Sequence, residues 1–374
     1  MFKRLLKRKP KRLNVLFYYR FLGLGGVEAS IINRIEALRK TNLTCEYWFS
    51  EYYGTGATYL TSQDYIRKVD LQTADLNSDL ESFDVVIVID YPPLIRALEN
   101  LDFRGSIVFE THASYPPALT HYYSVLGSEI IRAILVPSEH NRQLVLASGQ
   151  TSLDPIIIPN CVKLGRRSNR GLRRVDFETK VPAGPIVLWV GRMEDQKNPT
   201  EAIQIFQTLH ASQPQSTLLM VGDTTNYEDY MAALIDSVDP ILLRSIVFKR
   251  QAKFEEMKGY YKQTGESGGV LLSTSKFESA PMTFIEAMAN FCPIVSSDVG
   301  GTSELLQQGR LGVLYELGDI GEAVESIKKL TNPVNRNVRS AMLKRAYHYV
   351  GSKHGPAAAA ERFSRAINDL VESL

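Results

Sequence analysis

The sequence predicts an α/β protein of two doubly wound parallel-sheet domains that face each other across a cleft. Short apolar runs alternate with amphipathic stretches of helical length, as in parallel sheets covered by helices on both faces. The alternation stops at Pro159-Asn160 and restarts beyond residue 184. Glycine-rich and charged clusters fall directly after apolar runs, where open parallel sheets bind their ligands.

Length and composition agree with this class. At 374 residues the chain is long enough for two domains, each burying its own core. It is 44% hydrophobic and 22% charged, with a net charge of +2, so bulk polarity does not select a nucleic acid as partner. Cys45, Cys161 and Cys292 are odd in number and far apart. That spacing suits neither a disulfide framework nor a cysteine zinc site, and it fits a reducing, cytoplasmic compartment. No run approaches the roughly 18 apolar residues of a membrane span.

Residues 1–13 form a basic tail with neither the apolar core nor the cleavage site of a secretory signal. Seven of the first twelve residues are Lys or Arg, around Phe2, Leu5 and Leu6. One reading is a solvated tail. The other is a peripheral contact of residues 1–12 with an anionic membrane surface, on the inner face of the membrane, each basic residue contributing about 1 kcal/mol. Pro10 limits any helix there to two turns.

The first domain is expected over residues 14–162. Residues 14–19 (NVLFYY) read as a buried strand, followed by a glycine loop and a helix over 27–38. Residues 84–89 (DVVIVI), 106–110, 133–136 and 156–158 read as further strands. Residues 163–184 are charged, poor in large apolar side chains and end in Pro-Ala-Gly, as a linker does. The second domain, 185–352, has expected strands at 186–190, 217–221, 245–248, 269–272, 294–296 and 312–314, with helices over 199–210 and 281–289 between them. Residues 353–374 are set apart as a C-terminal helix. Its apolar positions Phe363, Ile367, Leu370 and Val371 share a face, expected to pack back on the first domain. Both domains are thus Rossmann-like.

Three clusters carry candidate chemistry. Gly23-Leu24-Gly25-Gly26-Val27-Glu28 follows the first strand, where glycines let backbone N–H groups approach an anion at a helix N-terminus. A dinucleotide fingerprint would need glycine where Glu28 stands; a tight strand–helix turn is the plain alternative. Gly191-Arg192-Met193-Glu194-Asp195-Gln196-Lys197 follows the second domain's first strand, with a planar donor fork and a point charge on one loop. A diphosphate needs such a pair, although two solvated charges would look the same.

The third cluster runs from Phe277 through Glu278, Ser279, Ala280, Pro281, Met282 and Thr283 to Glu286. It places Glu278 at a strand's carboxyl end beside the N–H groups that open a helix, with Pro281 in the first turn and Glu286 facing the same cleft. Carboxylates accept from sugar hydroxyls while amides hold phosphate oxygens. The plain alternative is a helix with acidic residues near its dipole.

Together these residues resemble the retaining glycosyltransferases of the GT-B fold, the large group 1 (family 4 type) that includes sucrose synthase. Glu278 and Glu286 match the family's Glu-x7-Glu signature. GRMEDQKN matches its Gly-Arg…Lys loop, Ile158-Pro159-Asn160 its hinge entry, and Gly300-Gly301-Thr302-Ser303-Glu304 its Gly-Gly-x-x-Glu segment. The chain departs from the pattern at Ser279, where glycine is usual, and at Asn290-Phe291-Cys292-Pro293, where Gly-x-Pro is usual.

The resemblance implies a nucleotide-sugar donor as substrate, no cofactor, and a glycan or lipid-linked acceptor in cell-envelope polysaccharide synthesis. By it, Arg192 and Lys197 grip the donor diphosphate with Gly25, Gly26, Met282 and Thr283. Glu286 holds the ribose, and Glu278 with Ser279, Ala280 and Pro281 holds the sugar. The base lies near Arg250 and Gln251. His112, after the strand SIVFE, matches a histidine that positions the reacting centre, with His121 as its nearest substitute.

The sequence contains no Asp-x-Asp, so metal-independent transfer is expected. Competing readings are a sugar-nucleotide epimerase or phosphorylase on the same scaffold, and a non-catalytic two-domain binder or transferase-like subunit.

Overall fold

In a computed structural model, the described residues are 11–23, 25–52, 63–165, 184–222, 228–250, 252 and 254–373. The first sheet contains β1 (Leu13–Tyr19), β3 (Leu43–Phe49), β5 (Ile66–Lys68), β6 (Val85–Ile89), β7 (Ser106–Glu110), β8 (Ile131–Val136) and β9 (Ile156–Ile157). Its order is β5-β3-β1-β6-β7-β8-β9, parallel throughout. A two-residue pair, β2 (Phe21–Leu22) with β4 (Glu51–Tyr52), lies apart from it. The second sheet contains β10 (Ile186–Val190), β11 (Thr217–Gly222), β12 (Ile246–Arg250), β13 (Val270–Ser273), β14 (Ile294–Ser297) and β15 (Val313–Tyr315). Its order is β12-β11-β10-β13-β14-β15, again parallel.

These orders place the chemistry. In the first sheet the chain steps from β1 to β3 on one side and later adds β6 on the other. In the second, β11 and β13 flank β10 in the same way. A crevice forms outside the carboxyl ends where winding reverses, here after β1 and β6 and after β10 and β13. The glycine loop, Asp90, the Arg192–Lys197 loop and Glu278 occupy those four strand ends.

Both central strands are buried on both faces. VVIVI of β6 and VLLS of β13 are near-continuous apolar runs rather than alternating ones, as strands covered by helices must be. β3 (LTCEYWF) escaped the sequence reading because Thr44 and Glu46 interrupt its apolar run. The helix Arg336–Lys353 escaped too, with only Met342, Ala346 and Val350 buried along its 18 residues.

The last helix, Pro356–Glu372, returns to the first sheet and packs on the helix Gly26–Leu38. Phe363 is fully buried and stacks on Phe17 of β1 with centroids 5.5 Å apart, while Ile367, Leu370 and Val371 join the same core. Burying one such phenylalanine contributes about 1.5–3 kcal/mol.

Between the domains, Asn160 ties three segments together. Its side chain accepts from Ser30 Oγ at 2.9 Å and donates to Ala280 O at 2.9 Å, and its carbonyl lies 2.8 Å from His354 Nδ1.

Of the basic tail, Lys11 pairs with Asp84 at 3.0 Å and Arg12 donates to Thr44 Oγ1 at 2.8 Å. Residues 1–10, most of the expected linker (166–183), loop residues 53–62 and Gln251 lie outside the described residues. Among those described, no helix is long and apolar enough to cross a membrane.

Candidate active site at the two switch points

The second-domain half of the site begins where β10 ends. Gly222 lies so close to Gly191 that an added Cβ would sit 1.8 Å from the Gly191 carbonyl oxygen. After Gly191 the chain makes a single 3₁₀ turn over Asp195–Lys197, ended by Asn198 in the left-handed region (φ 52°), with Pro199 opening the next helix. That turn folds Lys197 back toward β13, where Thr274 Oγ1 contacts the carbonyls of Lys197 and Asn198 at 3.0 and 2.7 Å.

Lys197 Nζ then reaches Glu278 Oε1 at 2.6 Å, and Ser275 Oγ donates to the same oxygen at 2.7 Å. The two residues assigned separately to diphosphate and sugar are therefore in direct contact. Arg192, 45% exposed, pairs with Glu194 at 2.7 Å.

Gly300 and Gly301 hold the Glu278 loop. Gly301 N donates to Glu278 O at 2.9 Å, and a Cβ on Gly301 would sit 1.8 Å from Ser279 O. Glu304, which ends this segment, accepts from the backbone N–H groups of Glu139 and His140 at 3.1 and 3.0 Å. The carboxylate thereby caps a first-domain helix and bridges the cleft.

Pro281 is the N-cap of the helix Met282–Ala289 rather than part of its first turn, because its ψ of 121° is extended. Ala280, Pro281 and Met282 are buried, and Met282 belongs to the core, so this stretch offers a ligand the backbone N–H groups of Ala280 and Met282, Pro281 having none. Ser279 and Thr283 keep partial exposure. Glu286 accepts from Tyr261 O–H at 2.9 Å. Burial pushes its pKa up to about 7 against the pull of that hydrogen bond.

In the first domain, Gly26 approaches Met282 closely enough that an added Cβ would lie 3.3 Å from Met282 Cγ. This contact joins the N-termini of two helices across the cleft. The neighbouring amides behave differently from expectation. Glu28, three residues beyond the N-cap Gly25, folds back so that its carboxyl receives the backbone of Glu28, Gly23 and Gly25. The loop expected to receive an anion thus already holds a carboxyl. Burial raises that carboxyl to about 7, with Arg192 across the cleft pulling it down.

His112 follows β7 by two residues. Its ring Nε2 lies 2.8 Å from Glu110 Oε1, and its backbone N–H meets both Asp90 oxygens at 3.2 Å. Tyr115, on the same loop, packs edge-on against Phe277 at 5.4 Å, which brings the His112 and Glu278 loops together. His121 lies on the exposed helix Pro116–Tyr123 instead.

Arg250 ends the edge strand β12, exposed. Among the described residues no hydrogen bond or ion pair joins it to the rest of the set.

Sequence reading missed Asp90, Glu110, Arg34 and Tyr261. Asp90 stands directly after DVVIVI with a left-handed φ of 46°, a conformation that costs free energy in a non-glycine residue. Its carboxylate accepts from Thr111 Oγ1 at 2.8 Å, and burial raises its pKa. The strand-end rule that singled out His112 points equally at Asp90. Tyr261 lies mid-helix and carries no sequence signal.

Among the described residues, no group of three or more His, Cys, Asp or Glu side chains could hold a metal ion.

Residues 175–348 match the family of glycosyl transferases group 1. A probable sucrose-phosphate synthase 1 of Oryza sativa subsp. indica is 26% identical over 165 residues, 41% of this chain. The match spans only 15% of that relative's length. A lipopolysaccharide 1,6-galactosyltransferase of Salmonella typhimurium is 27% identical over 346 residues, covering 82% of this chain and 86% of its own. Among solved structures, Anabaena HepE in complex with UDP and glucose superposes with a TM-score of 0.79 at 16% identity, covering 96% of this chain and 100% of that one. The sucrose-phosphate synthase of Thermosynechococcus elongatus gives 0.72 at 16% identity, covering 97% and 100%. The second domain thus carries the match to the group 1 glycosyltransferases, and the two facing parallel sheets, with the helix returning to the first of them, give the chain the GT-B fold.

Proposed function

We propose that the chain moves a hexose-type sugar from a nucleotide-sugar donor to a glycan or lipid-linked acceptor, with retention of anomeric configuration and without a metal ion. The observation that carries this reading is the Lys197–Glu278 contact at the β10/β13 switch point, with Glu286 on the helix that opens beside it. Breaking a sugar–phosphate bond builds positive character on the sugar and negative charge on the departing diphosphate. Lys197, Arg192 and the amides of Met282 and Thr283 supply donors for that charge. Glu278 takes the sugar hydroxyls and Glu286 the ribose, while Gly25 and Gly26 allow the close approach of the two helix ends. Arg250, which ends β12, and its sequence neighbour Gln251 are assigned to the base, and His112 to the acceptor side of the sugar.

In this reading residues 14–162 form the acceptor-side domain and 185–352 the nucleotide-sugar domain. The departing phosphate takes the acceptor's proton, and Glu278 positions rather than attacks.

A UDP-sugar is the donor class to test first, because HepE was solved with UDP and glucose. The relatives named as lipopolysaccharide transferases support an acceptor in cell-envelope polysaccharide synthesis. Thermal stabilisation across UDP-, GDP- and ADP-sugars tests the donor, since a ligand at 100 times its dissociation constant adds about 2.7 kcal/mol. No shift with any of them, together with no donor hydrolysis, refutes the function.

A further inference from the structure

The His112 side chain ends a buried chain of contacts that begins at the C-terminal helix. Phe363 and Phe17 lie against the Arg34 guanidinium at 5.2 and 5.8 Å. Arg34 meets Glu110 as a fork, Nη1 to Oε2 at 2.7 Å and Nη2 to Oε1 at 2.9 Å. Glu110 Oε1 then faces His112 Nε2 at 2.8 Å. The Arg34 and Glu110 side chains are each 2% exposed and that of His112 8%, so water does not compete for these bonds.

Burial alone would raise the Glu110 carboxyl, but Arg34 and His112 outweigh it and hold its pKa at about 2. A carboxylate without a proton can only accept. The hydrogen between Glu110 and His112 therefore sits on Nε2, and a neutral ring leaves Nδ1 bare. Asp90 binds the His112 backbone N–H and fixes the loop without contacting the ring through a hydrogen bond.

We propose that Arg34 and Glu110 are a positioning pair that selects the Nε2–H tautomer of His112, so that Nδ1 is presented as a hydrogen-bond acceptor for a hydroxyl of the bound sugar. The hydroxyl contact rests on the placement of His112 in the site proposed above; the tautomer does not. Phe363 of the returning helix also covers the guanidinium whose charge keeps Glu110 ionised.

The test uses the full-length chain with nitrogen-15 histidine. Wild type at pH 8 should show the Nε2–H tautomer of His112 alone. Glu110→Gln, whose amide cannot satisfy both the Arg34 fork and the ring as acceptor, should give a mixture of tautomers. Its kcat should fall about tenfold to a hundredfold with donor KM little changed, by analogy with the loss when an outer partner of a metal-bound histidine is removed. If Glu110→Gln does not fold, the neutral pair Arg34→Gln/Glu110→Gln replaces it and should show the same mixture. An Nδ1–H tautomer in wild type, or an unmixed Nε2–H tautomer in either variant, overturns the pairing. His112→Gln separates the two levels: wild-type turnover there removes His112 from the site while leaving the tautomer result standing.

Discussion

Replacing Glu286 by Gln should make the unliganded protein more stable at alkaline pH. Burial raises the folded-state pKa of this carboxyl from 4.5 to about 7. For a raised acid the stabilising form is the protonated one. Its contribution is complete below pH 4.5 and is lost as pH rises through about 7, where the buried group must ionise. The interval from 4.5 to about 7, at 1.36 kcal/mol per pH unit, sets that loss at about 3 kcal/mol. Glu286 keeps partial solvent access, so this figure is an upper bound. Gln has the shape of the neutral acid and still accepts from Tyr261 O–H. Unfolding of wild type and variant should therefore agree near pH 4.5 and diverge toward pH 8.5, by roughly 2–4 °C in Tm per kcal/mol. Glu28, also raised to about 7 by burial, drifts in the same sense, so Glu286→Gln removes only part of the slope and adding Glu28→Gln removes more. On the ribose role proposed for Glu286, donor binding supplies the opposite arm, because the hydroxyls then need the ionised carboxylate. Wild-type affinity should fall below pH 7, and that of Glu286→Gln should be lower at pH 8 by about tenfold, the difference between a charged and a neutral acceptor. An unchanged slope of stability with pH in Glu286→Gln would refute the burial argument.

Three further outcomes follow from the geometry. Lys197→Ala and Arg192→Ala should each lower transfer by roughly 10²-fold, with activity retained in EDTA; wild-type turnover in both removes the diphosphate assignment. Gly301→Ala should displace the Glu278 loop, because its Cβ would overlap Ser279 O, and a shift of about 1 Å at a reacting centre costs about 10²-fold in kcat. Lys11 and Arg12 are already engaged by Asp84 and Thr44. Deletion of residues 2–10 should therefore leave donor hydrolysis intact while removing salt-sensitive binding to anionic vesicles, whose attraction is screened within about 10 Å at 0.1 M. Vesicle binding unchanged by the deletion would assign the tail to solvent.

Strand ends were legible because apolar runs stop where chemistry starts: GRMEDQK after β10 and the Glu278 loop after β13 lie where sequence reading placed them. Partnerships were not legible. Lys197 and Glu278 are 81 positions apart, and only the adjacency of β10 and β13 brings them to 2.6 Å. Glu28 was weighed only as the residue standing where a dinucleotide fingerprint needs glycine, and its turning back onto Gly25 depends on a helix start that periodicity locates only to within a residue or two. Glu110 was hidden as the last letter of an apolar strand. A buried charge is opaque in sequence until its counter-charge is found, and Arg34 lies on a different element 76 positions away.

The return of the last helix has a consequence for how the chain is made. The core around β1 is closed by Phe363 and Ile367, near the opposite end of the chain. A ribosome therefore releases β1 to β9 with an apolar stripe uncovered, and completes every strand of the second sheet before the covering residues emerge. Domains generally consolidate from the N-terminus during synthesis. Here the order is inverted for one face of the first domain, whose final sealing waits for residues that follow the whole second sheet.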